Sequence, residues 1–294
     1  MDYTHCELCP RRCGANRRSG SLGFCRMPGE LRVARAMLHY GEEPVISGSF
    51  GTGAVFFSGC TLRCAFCQNR EISELGKGIQ VTSVHLREIF ERLIDEGAQS
   101  IDLVTPTHFL PDILPALTPK LPVPVVYNCG GYERVETLKA LEGLVDIYLP
   151  DFKYSDNALA AKLSAAPDYF EVAGAAVQEM YRQVGPAVIE DDVMQRGLLV
   201  RHLVLPGYLD NTLGVLDWLA ENLPRDKILV SLMSQYIPMG RAAQLPPLNR
   251  RITAEEYDGA VSWMELVGLT CGFTQDLTAA TKELLPDFNL EGIS

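Results

Sequence analysis

The chain has 294 residues, 47% hydrophobic and 21% charged, with a formal net charge of −11. These totals fit a soluble globular protein of one large domain or a domain with an appendage. The acidity argues against nucleic acid or an anionic membrane as partner. No apolar run reaches the ~18 residues of a membrane span. Residues 1–6 show no basic stretch leading into an apolar core, so no signal peptide and a cytoplasmic protein are expected. Nine cysteines in such a chain read as metal ligands or redox groups rather than disulfides.

Residues 1–35 hold seven arginines against Asp2, Glu7 and Glu30, so a basic head precedes an acidic body. The head either pairs with that body or offers a docking patch to an acidic partner. It also carries Cys6, Cys9, Cys13 and Cys25 in the pattern C-x2-C-x3-C-x11-C, with Gly14, Gly20 and Gly23 between the last two. Four thiolates separated by turn-permitting glycines can fold around one metal centre, either zinc or a second iron–sulfur cluster. Free thiols are the plain alternative.

Residues 31–52 are glycine-bearing and read as a connector, with a short strand near Leu31–Met37. The apolar run Gly53–Ser58 reads as a buried strand. Just past it, Cys60, Cys64 and Cys67 stand at the spacing C-x3-C-x2-C. Three thiolates on one short loop can converge on a soft metal centre: an iron–sulfur cluster, zinc or Cu(I). A structural zinc site wants four ligands, and no fourth Cys or His lies near Cys67. A [4Fe–4S] cluster held by three cysteines leaves one iron without a protein ligand.

Strands and helices then alternate. Strand-like runs at Ile101–Thr105, Val123–Tyr127, Val145–Leu149, Leu198–Leu205 and Ile228–Met233 are each followed by helical sequence, the last helix being Ala254–Val267. With the first strand this makes six strand–helix units, hence parallel strands with right-handed crossovers and chemistry at their carboxyl ends. The expected fold is α/β, a partial (β/α)6 TIM-type barrel with a small Cys-rich N-terminal element. Expected boundaries are 1–35 for that element, 50–275 for the barrel and 276–294 for a C-terminal extension. Strand alternation sends Arg201 and His202 to opposite faces, and Arg201 is expected inward.

The cysteine loop, with Phe66 before its last ligand and Gln68-Asn69-Arg70 after it, resembles the signature of radical S-adenosylmethionine (SAM) enzymes. Its longer context is similar to the glycyl-radical-enzyme activases, above all the pyruvate formate-lyase activating-enzyme-like (PflX) branch. The resemblance implies a [4Fe–4S] cluster whose open iron chelates SAM. It also implies reductive cleavage of SAM to a 5′-deoxyadenosyl radical, and hydrogen abstraction from a substrate. Phe66 would lie by adenine. Asn128-Cys129-Gly130-Gly131 resembles the activases' Asp-Thr-Asn-Gly, and Asp151-Phe152-Lys153 matches their Asp-Leu-Lys, with Lys153 facing the SAM carboxylate. Arg201 matches the arginine of a run ending in Pro-Gly, and Gln235 is a further contact.

The chain departs from the pattern where Gly-Gly-Glu usually holds the SAM amine. It has Thr105-Pro106-Thr107-His108, from which Thr105, Thr107 and His108 are the candidate contacts. Asn128 also removes one carboxylate from the activases' monovalent-cation site. The implied partners are an electron donor such as flavodoxin or ferredoxin and a protein substrate bearing a backbone glycine. The alternatives are radical modification of another peptide or small molecule with an auxiliary N-terminal cluster, and a non-catalytic metal-binding or scaffold protein.

Overall fold

The computed structural model describes residues 1–279 and 287–293. Of the expected 276–294 extension, residues 280–286 and 294 lie outside the described residues. In chain order the strands and α-helices begin with β1 (Arg32–His39), α1 (Pro44–Ser47), β2 (Thr52–Phe57), α2 (Arg70–Ser73), β3 (Ile79–Gln80) and α3 (Ser83–Asp95). Next come β4 (Ile101–Val104), α4 (Leu110–Ala116), β5 (Val125–Cys129), α5 (Val135–Leu138), β6 (Ile147–Pro150), α6 (Asn157–Ser164) and α7 (Tyr169–Val184). The last are β7 (Val188–Glu190), β8 (Val193–Leu203), α8 (Leu209–Asn222), β9 (Leu229–Met233), α9 (Ala254–Leu266) and β10 (Gly272–Thr274).

One sheet runs in the order β10-β9-β8-β6-β5-β4-β2-β1-β3. The six expected strands, β2, β4, β5, β6, β8 and β9, pair in parallel, as does β10. The fold class is therefore the expected α/β partial barrel. The short strand expected near Leu31–Met37 is β1, which runs two residues further and pairs antiparallel to β2.

Strand periodicity sorts side chains into two environments. Val55, Phe57, Ile101, Leu103, Val125, Tyr127, Val200 and Leu232 pack outward against the helices in the main core. The inward residues fill the barrel in layers. Val126, Ile147, Leu149, Leu199 and Leu229 meet Val45 and Ile46, so α1 plugs the end at which the strands begin. Above the plug sits a polar layer of Asp102, Asn128, Asp151 and Arg201, and above that opens a cavity.

Candidate active site

The cavity lies at the carboxyl ends of the parallel strands and has a volume of ≈ 240 Å³. Cys60, Cys64 and Cys67 line it together with Phe66, Thr105, Asn128, Cys129, Gly130, Asp151, Lys153, Arg201 and Gln235. Gly59, with φ +82°, turns the chain out of β2 into the cysteine loop. A side chain there would meet Met27 and the Cys25 carbonyl, so only glycine fits.

The loop is equipped to hold thiolates. The Leu62 N–H donates to Cys60 Sγ at 3.4 Å, the Ser164 hydroxyl donates to Cys64 Sγ at 3.0 Å, and the Ser73 hydroxyl lies 3.2 Å from Cys67 Sγ. Burial, then the repulsion of Cys64, pushes the Cys67 thiol up to about 11, and Cys60 rises for the same reasons. Three such thiols ionise together only against a bound cationic centre. Among the described residues, no three His, Cys, Asp or Glu side chains gather at single-ion distance. Convergence on one open cavity with sulfur-directed donors suits a cluster, whose metal atoms are spread over several ångströms.

Arg201 organises the polar layer. Its Nε donates to Asp151 at 2.8 Å, one terminal nitrogen to Glu42 at 2.8 Å and the other to Asn128 Oδ1 at 2.6 Å. Lys153 Nζ pairs with the other Asp151 oxygen at 2.5 Å. Burial would raise the Asp151 pKa, but Arg201 and Lys153 outweigh it and hold Asp151 below the usual carboxylate range. The layer carries excess acid. Asp102 is fully buried in the centre of β4, and burial followed by repulsion from Glu42 holds its pKa well above the usual range. The Asn128 amide donates to one of its oxygens at 3.1 Å, while Oδ1 has no partner. Glu43 Oε2 is likewise unpartnered, and burial raises Glu43 as well.

Thr105 sits at the cavity edge with φ +61°. A β-branched residue resists the left-handed region, so backbone strain is concentrated at the cavity edge. Thr107 and His108, expected as contacts, are buried away from the cavity by the 3-10 turn that follows β4. Thr107 donates to Glu133 at 2.7 Å, and His108 Nε2 lies 2.6 Å from the Ser58 carbonyl oxygen. Burial drops the His108 pKa to about 3, so the ring is neutral. Gly131 stands behind the rim, where a side chain would strike the Asp151 carbonyl. His202 points outward to the Phe152 carbonyl and Thr212, as alternation requires.

Sequence reasoning missed Glu42, on the β1–α1 connector, and His39, at the end of β1, both of which reach the cavity. It also missed Asp102, although an acid inside the apolar run Ile101–Val104 was a visible signal. The four head cysteines lie outside this cavity. Arg11 joins the head to the loop: Nε donates to the Thr61 carbonyl at 2.9 Å, and its other nitrogens to the Ser164 and Ala165 carbonyls. The head thus uses Arg11 on backbone, while Arg26 and Arg35 pair with Glu74 and Glu291.

Residues 47–108, which include the cysteine loop, match the family model of a 4Fe-4S single cluster domain. Among solved structures, Streptococcus suis SuiB bound to precursor peptide SuiA is similar in fold. It has a TM-score of 0.50 and 17% identity, covering 76% of this chain and 49% of SuiB. The chain therefore spans about half the length of SuiB. A domain of pyruvate-formate lyase-activating enzyme from Bacteroides vulgatus ATCC 8482 matches at a TM-score of 0.39 and 14% identity, over 66% of this chain and 91% of that one. That likeness is too slight to assign a branch. The uncharacterized protein MJ0674 of Methanocaldococcus jannaschii is 32% identical over 278 residues, 91% of this chain and 76% of its own length. The chain belongs to the family of MJ0674, and it carries a 4Fe-4S single-cluster segment on the partial-barrel fold of the radical SAM enzymes.

Proposed function

We propose that the chain is a radical SAM enzyme that binds SAM against a [4Fe–4S] cluster on Cys60, Cys64 and Cys67. The observation that carries this reading is the meeting of those thiols with Lys153, Asp151, Arg201 and Gly130 around one cavity at the strand ends. The cluster, when bound, supplies the electron that cleaves SAM to a 5′-deoxyadenosyl radical.

The chain's own residues bind, orient and shield. Lys153 offers its ammonium to the SAM carboxylate from an almost dry site, where a charge-assisted bond is strong. Asp151 and Arg201 keep that ammonium in place. Gly130 lets the ligand approach the strand end, with Leu62 closing the space where a side chain would stand. Phe66, packed against Tyr236 with ring centroids 6.1 Å apart, forms an apolar wall for adenine. Thr105 replaces the usual amine-binding glutamate with backbone groups held in a strained turn. The walls exclude water from a reactive intermediate.

The substrate reading is a peptide or protein. The PflX-branch resemblance favours a backbone glycine Cα of a partner enzyme, and a precursor peptide is what SuiB is bound to. Behind the cysteines a second, narrow opening is lined by Phe24, Arg26, Arg63 and Arg241, with Glu74 as its one acid. This positive rim on an acidic protein suits an acidic one-electron carrier such as flavodoxin or ferredoxin. Among the described residues no helix is long and apolar enough to cross a membrane.

The test is anaerobic reconstitution with iron and sulfide, reduction with dithionite, and addition of SAM. 5′-Deoxyadenosine is the expected product, and a preparation loaded with about four irons per loop cluster that forms none overturns the reading. Deuterium transfer from an α-deuterated glycyl protein into deoxyadenosine checks the activase assignment.

A further inference from the structure

We propose that the N-terminal element is a second metal centre, a tetrathiolate on Cys6, Cys9, Cys13 and Cys25 with Arg17 as its buried counter-ion. Arg17 is wholly buried, at 0% exposure. Its Nε donates to the Met27 carbonyl at 3.0 Å, and its terminal nitrogens to the Pro28 and His108 carbonyls at 2.7 and 2.6 Å. The rings of Tyr3 and Phe109 cover it, with centroids 4.6 and 5.4 Å away. No Asp or Glu stands at ion-pair distance among the described residues. A desolvated guanidinium with only neutral acceptors is costly, and proteins place a negative charge beside it.

The groups that can supply that charge are thiols. Arg17 directs an N–H at Cys6 Sγ, 3.7 Å away. Its Cδ, Cys25 Sγ and Cys13 Sγ all border the space beside Gly23. A side chain there would sit 3.2 Å from Cys25 Sγ and 3.5 Å from Cys13 Sγ. Gly23 thus leaves open the room in which two of the sulfurs face each other. Four thiolates around a doubly positive [4Fe–4S] core leave two negative charges. One is matched by Arg17, and the other faces solvent at Cys13, the exposed member of the set.

The backbone is shaped for such a centre. Tight turns close at Arg12 N to Cys9 O, 3.1 Å, and at Arg26 N to Gly23 O, 2.9 Å. Arg12 and Arg26 take positive φ, 39° and 62°, a strain that a free loop would not keep. Cys6 closes the other side through paired bonds, its N–H to Ala15 O and its carbonyl from Gly14 N–H, both 3.1 Å. Like Cys60–Cys67, the four thiols do not gather at single-ion distance among the described residues, which fits a cluster rather than one zinc ion.

The test uses the full chain with the loop ligands removed, C60A/C64A/C67A, made and reconstituted anaerobically. It is expected to retain about four irons with sulfide, read by elemental analysis. Adding C13A should abolish that metal. Because Cys13 is exposed, the circular dichroism of the metal-free protein should not change. Arg17→Met should lower metal retention far more than Arg17→Lys, which keeps the charge. A folded loop-ligand variant that holds no iron overturns the proposal, as does a C13A form that keeps its full complement. Since wild-type deoxyadenosine formation reads the loop cluster alone, a failure here is distinguishable from a failure of the SAM reading.

Discussion

Arg201 of β8 and Glu42 of the β1–α1 connector form a 2.8 Å ion pair inside the barrel, although 159 residues separate them in sequence. Through that pair the plug, the polar layer and the cavity floor are one unit. Glu42→Ala leaves Arg201 short of one buried partner and is expected to cost about 3 kcal/mol of stability. Glu42→Gln, which can still accept a hydrogen bond, should cost less. Urea unfolding of the metal-free chain measures both, and equal stability of wild type and Glu42→Ala would contradict the role given to the pair.

Lys153→Met removes the one ammonium in the cavity without touching a thiol. SAM affinity should fall roughly tenfold or more, the loss of a hydrogen bond to a charged group. Iron content should stay at the wild-type value. Calorimetric titration with SAM, alongside iron analysis, separates this outcome from a failure of cluster assembly.

Glu133 predicts an unusual pH dependence. Burial pushes its pKa up to about 8, against the hydrogen bonds from Thr107 and Tyr127 that work to lower it. The native state therefore keeps a proton that the unfolded chain releases near the ordinary glutamate value. Stability should fall as pH rises from about 4.5 to about 8, by up to about 1.4 kcal/mol per pH unit. Glu133→Gln should be the more stable form at pH 8 and show a flatter profile. Melting temperatures across that range decide it.

Thr105→Gly relieves the positive φ and should stabilise the metal-free protein by about 1 kcal/mol. If the turn serves the ligand's amine, the same variant should bind SAM more weakly. Thermal melts with and without SAM test both halves, and a variant that gains stability and keeps full affinity would leave the strain unexplained by binding.

Reversing the rim with R26E/R63E/R241E should slow cluster reduction by flavodoxin or ferredoxin by about tenfold or more at low salt. It should also remove the wild-type dependence on ionic strength. Reduced methyl viologen, a small cation, should not be slowed. Stopped-flow bleaching of the cluster absorbance compares the two reductants.

Much of this architecture is legible along the chain because its determinants are local. The six expected parallel strands are β-branched and apolar runs with Gly, Pro or polar breaks, and the C-x3-C-x2-C loop needs only its own spacing. Arg201 and His202 are sorted by the alternation of one strand. Glu42 carries no comparable signal: Glu-Glu-Pro reads as a turn, and its place in the cavity follows from the antiparallel pairing of β1 with β2. The misplacement of Thr107 and His108 has a local origin instead. A one-turn 3-10 element after β4 rotates both side chains behind the rim, and nothing in Thr-Pro-Thr-His distinguishes that turn from an extended strand end.

The two openings onto Cys60, Cys64 and Cys67 are unequal. The one ringed by arginines encloses about 30 Å³, whereas the barrel mouth leads to ≈ 240 Å³. The roomier approach to the three thiols is therefore the one that would also admit the ligand, so a ligand seated there before the metal would obstruct loading.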